Sequence, residues 1–314
     1  MADERERLRF WRDAERVAAA SSGHDTRNNE RWDIASGVAH LQSLAPANAP
    51  PDDDNPIVLL AAGWRSGSTL LQRCIMSDTR ILMWGEPYQE SGLVQHLAES
   101  TRAFRAEWPK PKWFFRGTPP DVLATTWVAN LFPPPDDLRL AHRAFLDTLF
   151  AVPARRAGAA RWGIKEVRWT SGHARYLRWL YPRCRLVFLY RDPFMAYRSY
   201  LKRGGGWYDT FPARPVFTPM AFGRHWRTLT ESFLHDAAEL DAVVLRFEDV
   251  VAGRKWIPAL ERHLDIRIDP ATLDTKLDGA ADGTPDVTLG RAERWLLRRA
   301  VSPLAERLSL RGTG

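Results

Sequence analysis

The chain has 314 residues, of which 45% are hydrophobic, and a formal net charge of +7. This length and composition allow a full hydrophobic core, and no apolar run approaches the ~20 residues that a bilayer-spanning helix needs. We therefore expect no membrane span. The basic residues are scattered along the sequence, and we find no motif of a nucleic-acid-binding module, so we expect no nucleic-acid partner either.

The first part of the chain is predicted to form a helical appendage. Residues 3–20 and 29–45 have helical character, and a stretch rich in proline and aspartate follows at residues 46–56. Such a composition disfavours both helix and strand and is typical of a linker. We therefore predict two units, a helical appendage with its linker over residues 1–55 and a catalytic domain over residues 56–314.

The first predicted strand, Ile57–Ala62, is a short, continuous apolar run of the kind that forms a buried parallel strand. A turn of small residues, Gly63–Ser68, follows, and an apolar helical pattern opens at Thr69. This order aims backbone N–H groups and a helix N-terminus at an anion, so we predict a phosphate-like or sulfate-like ligand. The turn does not fit an ATP loop, because it lacks lysine and its cation is Arg65. A turn without any ligand is the alternative.

The second and third predicted strands each bring one ionisable residue to the predicted site. Glu86 follows the strand at residues 80–84, and Lys165 lies within the strand at residues 162–167. The chain has only six lysines among 45 basic residues, so a lysine inside an apolar strand is a candidate for a specific role. Two alternatives stay open: Lys165 pairs with the neighbouring Glu166, or Glu86 caps a helix or pairs with an arginine.

The fourth predicted strand, residues 185–190, ends at Arg191-Asp192-Pro193. Pro193 begins a predicted helix, because a proline in the first turn lacks only an N–H group that would have no helical partner. Arg191 then stands at the carboxyl end of a strand, where ligands of open α/β sheets gather, and Ser199 lies about two helical turns further on. Taken alone, Arg191 and Asp192 also fit a surface ion pair beside a turn.

Strands and helical stretches alternate along the predicted catalytic domain. A fifth strand is expected at residues 242–246, and the acidic segment after it is expected to be structural, with Asp249 as a helix cap. This alternation predicts an α/β fold with three layers, α/β/α, around a central parallel sheet, like that of P-loop NTPases. Helices are expected at residues 69–78, 136–150, 172–181, 194–202, 219–240 and 249–264.

Two further segments are candidates for the rim of the site. Residues 106–135 hold seven prolines and three tryptophans, which predicts an irregular insertion over the active site. Three glycines at residues 204–206 and the aromatic residues Trp207, Tyr208 and Phe211 have the composition of a mobile lid that contacts the acceptor. An ordinary surface loop fits the same pattern.

In combination, these motifs resemble those of sulfotransferases that use 3′-phosphoadenosine 5′-phosphosulfate as donor. The positive charge of Arg65 ahead of Ser-Gly-Ser-Thr is similar to the family's 5′-phosphosulfate loop, and Arg191 with Ser199 is similar to its 3′-phosphate motif. The layout is nearest to that of tyrosylprotein, carbohydrate and bacterial sulfotransferases, and the resemblance covers about residues 56–264. One departure is the acidic segment at residues 278–283, where cytosolic sulfotransferases carry a basic residue that closes over the nucleotide.

The resemblance implies a role for each motif. Glu86 would act as general base, while Arg65 and Lys165 would stabilise charge on the transferring sulfuryl group, with no metal. The donor would be held by Arg65, Ser66, Gly67, Ser68, Thr69, Arg191 and Ser199. The implied reaction moves a sulfuryl group to a hydroxyl or amine of a small molecule or glycan and leaves adenosine 3′,5′-bisphosphate as product.

Two other functions compete with this one. A P-loop kinase acting on a small molecule is the first, but the loop lacks lysine and no clear Mg²⁺-binding aspartate follows. A non-catalytic nucleotide or polyanion binder is the second, and the presence of Glu86 and Lys165 beside the phosphate motifs counts against it. If Glu86 does not serve as base, His96 and His173 are the next candidates.

Cysteine usage and the first residues bear on the cellular compartment. Cys74 lies in a predicted helix and Cys184 next to a predicted strand, which is not a disulfide framework. Five of the first seven residues are charged and no apolar stretch follows them, so no signal peptide is expected. We therefore expect a cytoplasmic protein, and the abundance of arginine and alanine is typical of a GC-rich bacterial genome.

Overall fold

A computed structural model of the chain describes residues 9, 11–12, 33–44, 55–105, 108–115, 117, 119–206, 208–210, 214–275 and 287–310. The predicted helix at residues 3–20, the predicted linker and the acidic segment at residues 278–283 lie wholly or largely outside the described residues. The boundary between two units at residue 55 stays a prediction.

The described residues form a main parallel sheet and a short antiparallel pair. The strands are β1 (Ile57–Ala61), β2 (Ile81–Gly85), β3 (Arg161–Glu166), β4 (Arg185–Tyr190), β5 (Asp209–Thr210), β6 (Arg214–Pro215) and β7 (Ala242–Arg246). The main sheet has five strands in the order β2–β3–β1–β4–β7, and each neighbouring pair is parallel. Helices flank this sheet, so the prediction of a three-layer α/β/α fold is confirmed.

Most of the connections between strands are helical. The α-helices of the described residues are α1 (Ile34–Leu44), α2 (Ser68–Met76), α3 (Leu93–Ser100), α4 (Pro120–Leu123), α5 (Pro135–Leu146), α6 (Val152–Arg156), α7 (Ser171–Leu180), α8 (Pro193–Leu201), α9 (Pro219–Asp236), α10 (Phe247–Ala252), α11 (Ile257–Leu264), α12 (Arg291–Val301) and α13 (Leu304–Arg307). A π-helical turn, Asp147–Ala151, continues α5 into α6. Among these helices none has the length and apolarity needed to cross a membrane.

The centre of the sheet explains the apolar runs of the sequence. Every residue of β1 is buried, because β3 and β4 lie on either side of it and helices cover its faces. The strand order places the carboxyl ends of β2, β3, β1 and β4 along one edge of the sheet. That edge is where the predicted site residues of four separate segments can meet.

Two helical predictions need correction. The helix predicted over residues 249–264 is two helices, α10 and α11, because the chain is extended at Gly253 between them. Asp249 does not cap a helix, since α10 begins at Phe247 and Asp249 lies in its first turn. Helices α3 and α12 were not predicted. The second of these packs on α9, where Gly223 leaves room for Ala300 to approach closely.

Candidate active site

The turn after β1 has an unusual backbone. Gly63, Arg65 and Gly67 have φ angles of 81°, 62° and 86°, in the left-handed region that non-glycine residues rarely adopt. Gly67 is the N-cap of α2 and makes no side-chain cap. The turn therefore presents the N-terminus of α2 directly to the carboxyl edge of the sheet.

This turn has unused hydrogen-bond donors. Within the described part of the chain, the backbone N–H groups of residues 66–69 make no hydrogen bond. The side chain of Ser66 is fully buried and its Oγ atom has no partner, whereas Thr69 is exposed. Unsatisfied buried polar groups are costly, so a cluster of them at a helix N-terminus fits an anionic group.

The two predicted phosphate motifs meet at Arg65. Its Nε atom donates a hydrogen bond to Ser199 Oγ at 3.1 Å, and its carbonyl oxygen accepts one from Arg191 Nη1 at 2.9 Å. These partners are 134 and 126 residues away in sequence. The turn after β1 therefore contacts both Arg191, which precedes α8, and Ser199, in the last turn of α8, and the assignment of these residues to one binding site stays a prediction.

Arg191 is held tightly but keeps a free donor. Its guanidinium lies over the ring of Phe247, 4.6 Å from the ring centre, and its Nε atom is buried without a hydrogen-bond partner among the described residues. Burial lowers the pKa of Arg191 from its ordinary value, and the nearby carboxylate of Glu248 acts in the opposite direction. A cation with an unused, desolvated donor is well suited to an anionic partner.

Phe247 and Glu248 are site residues that the sequence did not identify as such. A Cβ atom at Gly67 would lie 2.0 Å from the Phe247 ring, so the aromatic side chain requires glycine there. Glu248 accepts hydrogen bonds from the Asp192 backbone N–H at 3.0 Å and from Arg246 Nε at 3.0 Å. Both residues follow β7, the neighbour of β4, and so brace the turn that carries Arg191.

We expect Gly67→Ala to destabilise the fold by about 2 kcal/mol or more, because the new methyl group meets Phe247 and the left-handed φ disfavours alanine. Chemical denaturation of the variant would measure this loss. Gly158→Ala is a matched control, since Gly158 also has a positive φ but nothing lies within 4 Å of its added Cβ. Equal losses in the two variants would show that Phe247 is not the cause.

Glu86 and Lys165 form an ion pair at the same edge of the sheet. Lys165 Nζ lies 2.5 Å from Glu86 Oε1, and the Glu86 backbone N–H donates to the Lys165 carbonyl oxygen at 2.7 Å. The Lys165 residue is 5% exposed. Glu86 has a φ angle of 37°, an uncommon and strained conformation for glutamate. The register of β2 on β3, with Gly85 opposite Lys165, fixes this contact.

The alternative partner of Lys165 is occupied elsewhere. Glu166 is almost fully buried and accepts hydrogen bonds from Arg168 Nε at 3.0 Å and Nη2 at 3.1 Å. Consecutive residues of a strand point to opposite faces, which separates Lys165 from Glu166. The alternative ion pair between Lys165 and Glu166 is therefore not formed, and Lys165 instead pairs with Glu86, the predicted base.

An aromatic stack lies beside the turn. Tyr208 stacks on Trp64, with ring centres 4.2 Å apart, and on Tyr200, with ring centres 4.3 Å apart. Tyr208 is buried, and burial raises the pKa of its hydroxyl while the charge of Arg65 opposes that rise. Of the aromatic residues predicted for a lid, Trp207 and Phe211 lie outside the described residues. Tyr208 is part of the core rather than of an exposed acceptor surface.

His96 and His173, the alternative candidates for the general base, lie in two different environments. His96 is exposed on α3, whereas His173 is buried, stacks on Trp169 and contacts Thr170 Oγ1 at 3.3 Å. Burial lowers the pKa of His173 to about 4. In the described residues, no group of three or more acidic, histidine or cysteine side chains could hold a metal ion.

Comparison with known proteins places these residues in a family. Residues 56–270 match the model of a family described as the sulfotransferase family, and every predicted site residue lies in that range. None of the curated proteins matches the chain. Among solved structures, the chain is similar to the sulfotransferase domain from the Synechococcus PCC 7002 olefin synthase, with 18% identity and a TM-score of 0.39. That alignment covers 81% of this chain and 97% of the other.

Proposed function

The chain belongs to the sulfotransferase family, and we propose that it moves a sulfuryl group from 3′-phosphoadenosine 5′-phosphosulfate to a hydroxyl or amine of a small molecule or glycan. The observation that carries this proposal is the contact of Arg65 with both Ser199 and Arg191. A loop for one phosphate and a motif for a second phosphate then lie side by side. A nucleotide with phosphates at both its 5′ and 3′ positions needs such a pair.

The residues of the turn fit the donor. The unpartnered Ser66 Oγ and the free N–H groups of residues 66–69 would hold the 5′-phosphate, with the side chains of Ser68 and Thr69 beside them. Arg191, through its unused Nε, and Ser199 would hold the 3′-phosphate. When bound, the donor supplies an activated sulfuryl group and a nucleotide phosphate as its leaving group.

Glu86 would take the proton of the acceptor. Its Oε1 atom is engaged by Lys165, and we assign the other oxygen, Oε2, to the acceptor hydroxyl or amine. The contact with Lys165 fixes the position of the carboxylate, and only an ionised carboxylate can accept that proton. General-base assistance of this kind contributes about 10²–10⁴-fold to a rate.

Arg65 and Lys165 would stabilise charge that develops during transfer. The Arg65 guanidinium is fixed by Ser199, and the Lys165 ammonium is fixed by Glu86. Groups that are oriented before the reaction need no rearrangement when charge appears, which makes them effective in a site that excludes water. Arginine acts by hydrogen bonding and charge alone, because its pKa is too high for proton donation.

Calorimetry with adenosine 3′,5′-bisphosphate and with Mg²⁺–ATP tests the proposed donor. We expect tighter binding of the bisphosphate without any metal. Tighter, Mg²⁺-dependent binding of ATP would favour a small-molecule kinase and overturn the proposal. A product screen by mass spectrometry, looking for the mass gain of one sulfonate on candidate acceptors, would then identify the acceptor class.

We also propose that the enzyme works in a bacterial cytoplasm. Cys74 and Cys184 are both buried and unpaired, as expected for a reducing compartment. Fractionation of cells that produce the full chain would test the location. Recovery of the protein from an oxidising compartment would contradict it.

Arg191→Ala should weaken binding of adenosine 3′,5′-bisphosphate by roughly 10- to 100-fold, because it removes a charge-assisted contact with the 3′-phosphate. Calorimetry measures this change. Arg185→Ala is the matched control, since Arg185 lies at the other end of β4 in a loose pair with Asp241 at 3.7 Å. Unchanged affinity in Arg191→Ala would show that the 3′-phosphate site lies elsewhere.

A further inference from the structure

A small cavity of about 210 Å³ lies between α1, α5 and α7, away from the turn that follows β1. Its described lining residues are Leu41, Gln42, Pro135, Asp136, Arg139, Arg178, Trp179 and Pro182. Pro182 precedes β4, so the cavity is near the amino ends of the strands, whereas Arg65 and Arg191 are at their carboxyl ends. The cavity is therefore separate from the candidate active site.

Arg139 is a buried cation that forms no salt bridge with another described residue. It is 6% exposed, and its Nε and Nη2 atoms are buried and have no hydrogen-bond partner in the part of the chain that the structure describes. Burial and the charge of Arg143 lower the pKa of Arg139, and Asp136 opposes them. Arginine stays protonated in proteins, so this guanidinium cannot escape the cost of burial by losing its proton. An anion in the cavity would remove that cost.

Arg178 lines the same cavity. Its two terminal nitrogens donate to the carbonyl oxygens of Pro182 at 3.3 Å and Leu240 at 2.7 Å, which fixes the guanidinium plane. Its Nε atom is buried and has no hydrogen-bond partner among the described residues, while the guanidinium also interacts with the thiol of Cys184, outside the cavity lining. Two arginines, one of them held rigidly, thus line a single small cavity with unsatisfied N–H groups.

The remaining lining residues define the kind of anion. Asp136 is the one carboxylate among the described lining residues, so the two arginines and Asp136 together leave a net charge of +1. The side chains of Leu41, Trp179 and the two prolines are apolar. The volume equals that of about seven water molecules at ~30 Å³ each, which is enough for a carboxylate with a compact apolar body.

We propose that this cavity binds a small organic monocarboxylate through Arg139 and Arg178. The planar guanidinium groups match a carboxylate in shape and hydrogen-bonding pattern, and the apolar walls would cover the rest of the ligand. A phosphate dianion is disfavoured, since it would place a second negative charge beside Asp136 and leave the apolar walls uncovered.

Calorimetry with benzoate, acetate and inorganic phosphate tests the proposal on the full chain. A parallel series contains saturating adenosine 3′,5′-bisphosphate. Anions that bind only at the candidate active site should be displaced by it and should give no binding signal in that series. We expect benzoate to bind in both series, more tightly than acetate and phosphate. Arg139→Gln should weaken benzoate at least about tenfold. Three results would overturn the proposal. They are loss of benzoate binding when the bisphosphate is present, an unchanged benzoate affinity in Arg139→Gln, and a higher affinity for phosphate than for benzoate.

A second variant keeps the test decisive if Arg139→Gln does not fold. Gln42 is exposed at the rim of the cavity, and Gln42→Glu would supply a carboxylate in place of the ligand. We expect it to raise the melting temperature by roughly 2 °C in buffer without organic anions and to weaken benzoate binding. Ser43→Glu is the matched control, because it adds the same charge one residue further along α1, outside the lining. Equal behaviour of the two glutamate variants would contradict the proposed site.

Discussion

Lys165→Met should lower kcat by about 10²-fold or more on a confirmed acceptor, while the chain keeps its fold. Methionine has a similar length and suits a buried strand position, but it cannot carry charge. The variant removes both the cation nearest the proposed reaction centre and the partner of Glu86, which lies 2.5 Å from Lys165 Nζ. Steady-state kinetics with a sulfonated product as readout would measure the loss.

Two controls separate charge from structure in this experiment. Lys255→Met removes an exposed lysine and should leave kcat unchanged. Lys165→Arg retains the charge and should recover part of the lost rate, which a purely structural role would not predict. A Lys165→Met variant with wild-type turnover would exclude Lys165 from the mechanism, whereas a large fall in melting temperature would point to its role in folding.

The sequence predicted the strands of the main sheet well because their signal is local. The central strands β1 and β4 are apolar runs that are largely buried, and the observed bounds of all five strands differ from the predicted ones by a residue or less. The family resemblance is confirmed by the match over residues 56–270. Contacts within the site were harder to predict. The pairing of Lys165 with Glu86 depends on β2 lying next to β3, and strand order is not a local property of the sequence.

The contacts of Phe247 and Tyr208 could not be predicted either, for the same reason. Phe247 follows β7 and reaches Gly67 only because β7 lies beside β4, which lies beside β1. Tyr208 comes from a glycine-rich segment that resembles a loop, yet it stacks between Trp64 and Tyr200. Neither contact has a sequence signal, since each joins segments that are distant in the chain. The sequence predicted a structural role for the segment after β7, which includes Phe247, and a mobile lid or an ordinary surface loop for Tyr208.

Glu86→Gln should lower kcat by roughly 10²-fold or more and leave the affinity for adenosine 3′,5′-bisphosphate unchanged. The amide keeps the size of the side chain and can still accept the hydrogen bond of Lys165, so the fold is retained, but it cannot take a proton from the acceptor. The acidic limb of the pH–rate profile should disappear with the base. Glu231→Gln is the control, since Glu231 is an exposed carboxylate on α9.

The double variant Glu86→Gln with Lys165→Met tests whether Lys165 acts through Glu86 or independently of it. If Lys165 acts largely by holding Glu86 in place, the double variant should be only slightly slower than the worse single variant. If Lys165 instead acts directly on the transferring group, the two losses in log kcat should add. Near-normal turnover of Glu86→Gln would remove this residue from the mechanism. His96 would then be the next candidate for the general base, because burial lowers the pKa of His173 to about 4 and makes it a weak base at neutral pH.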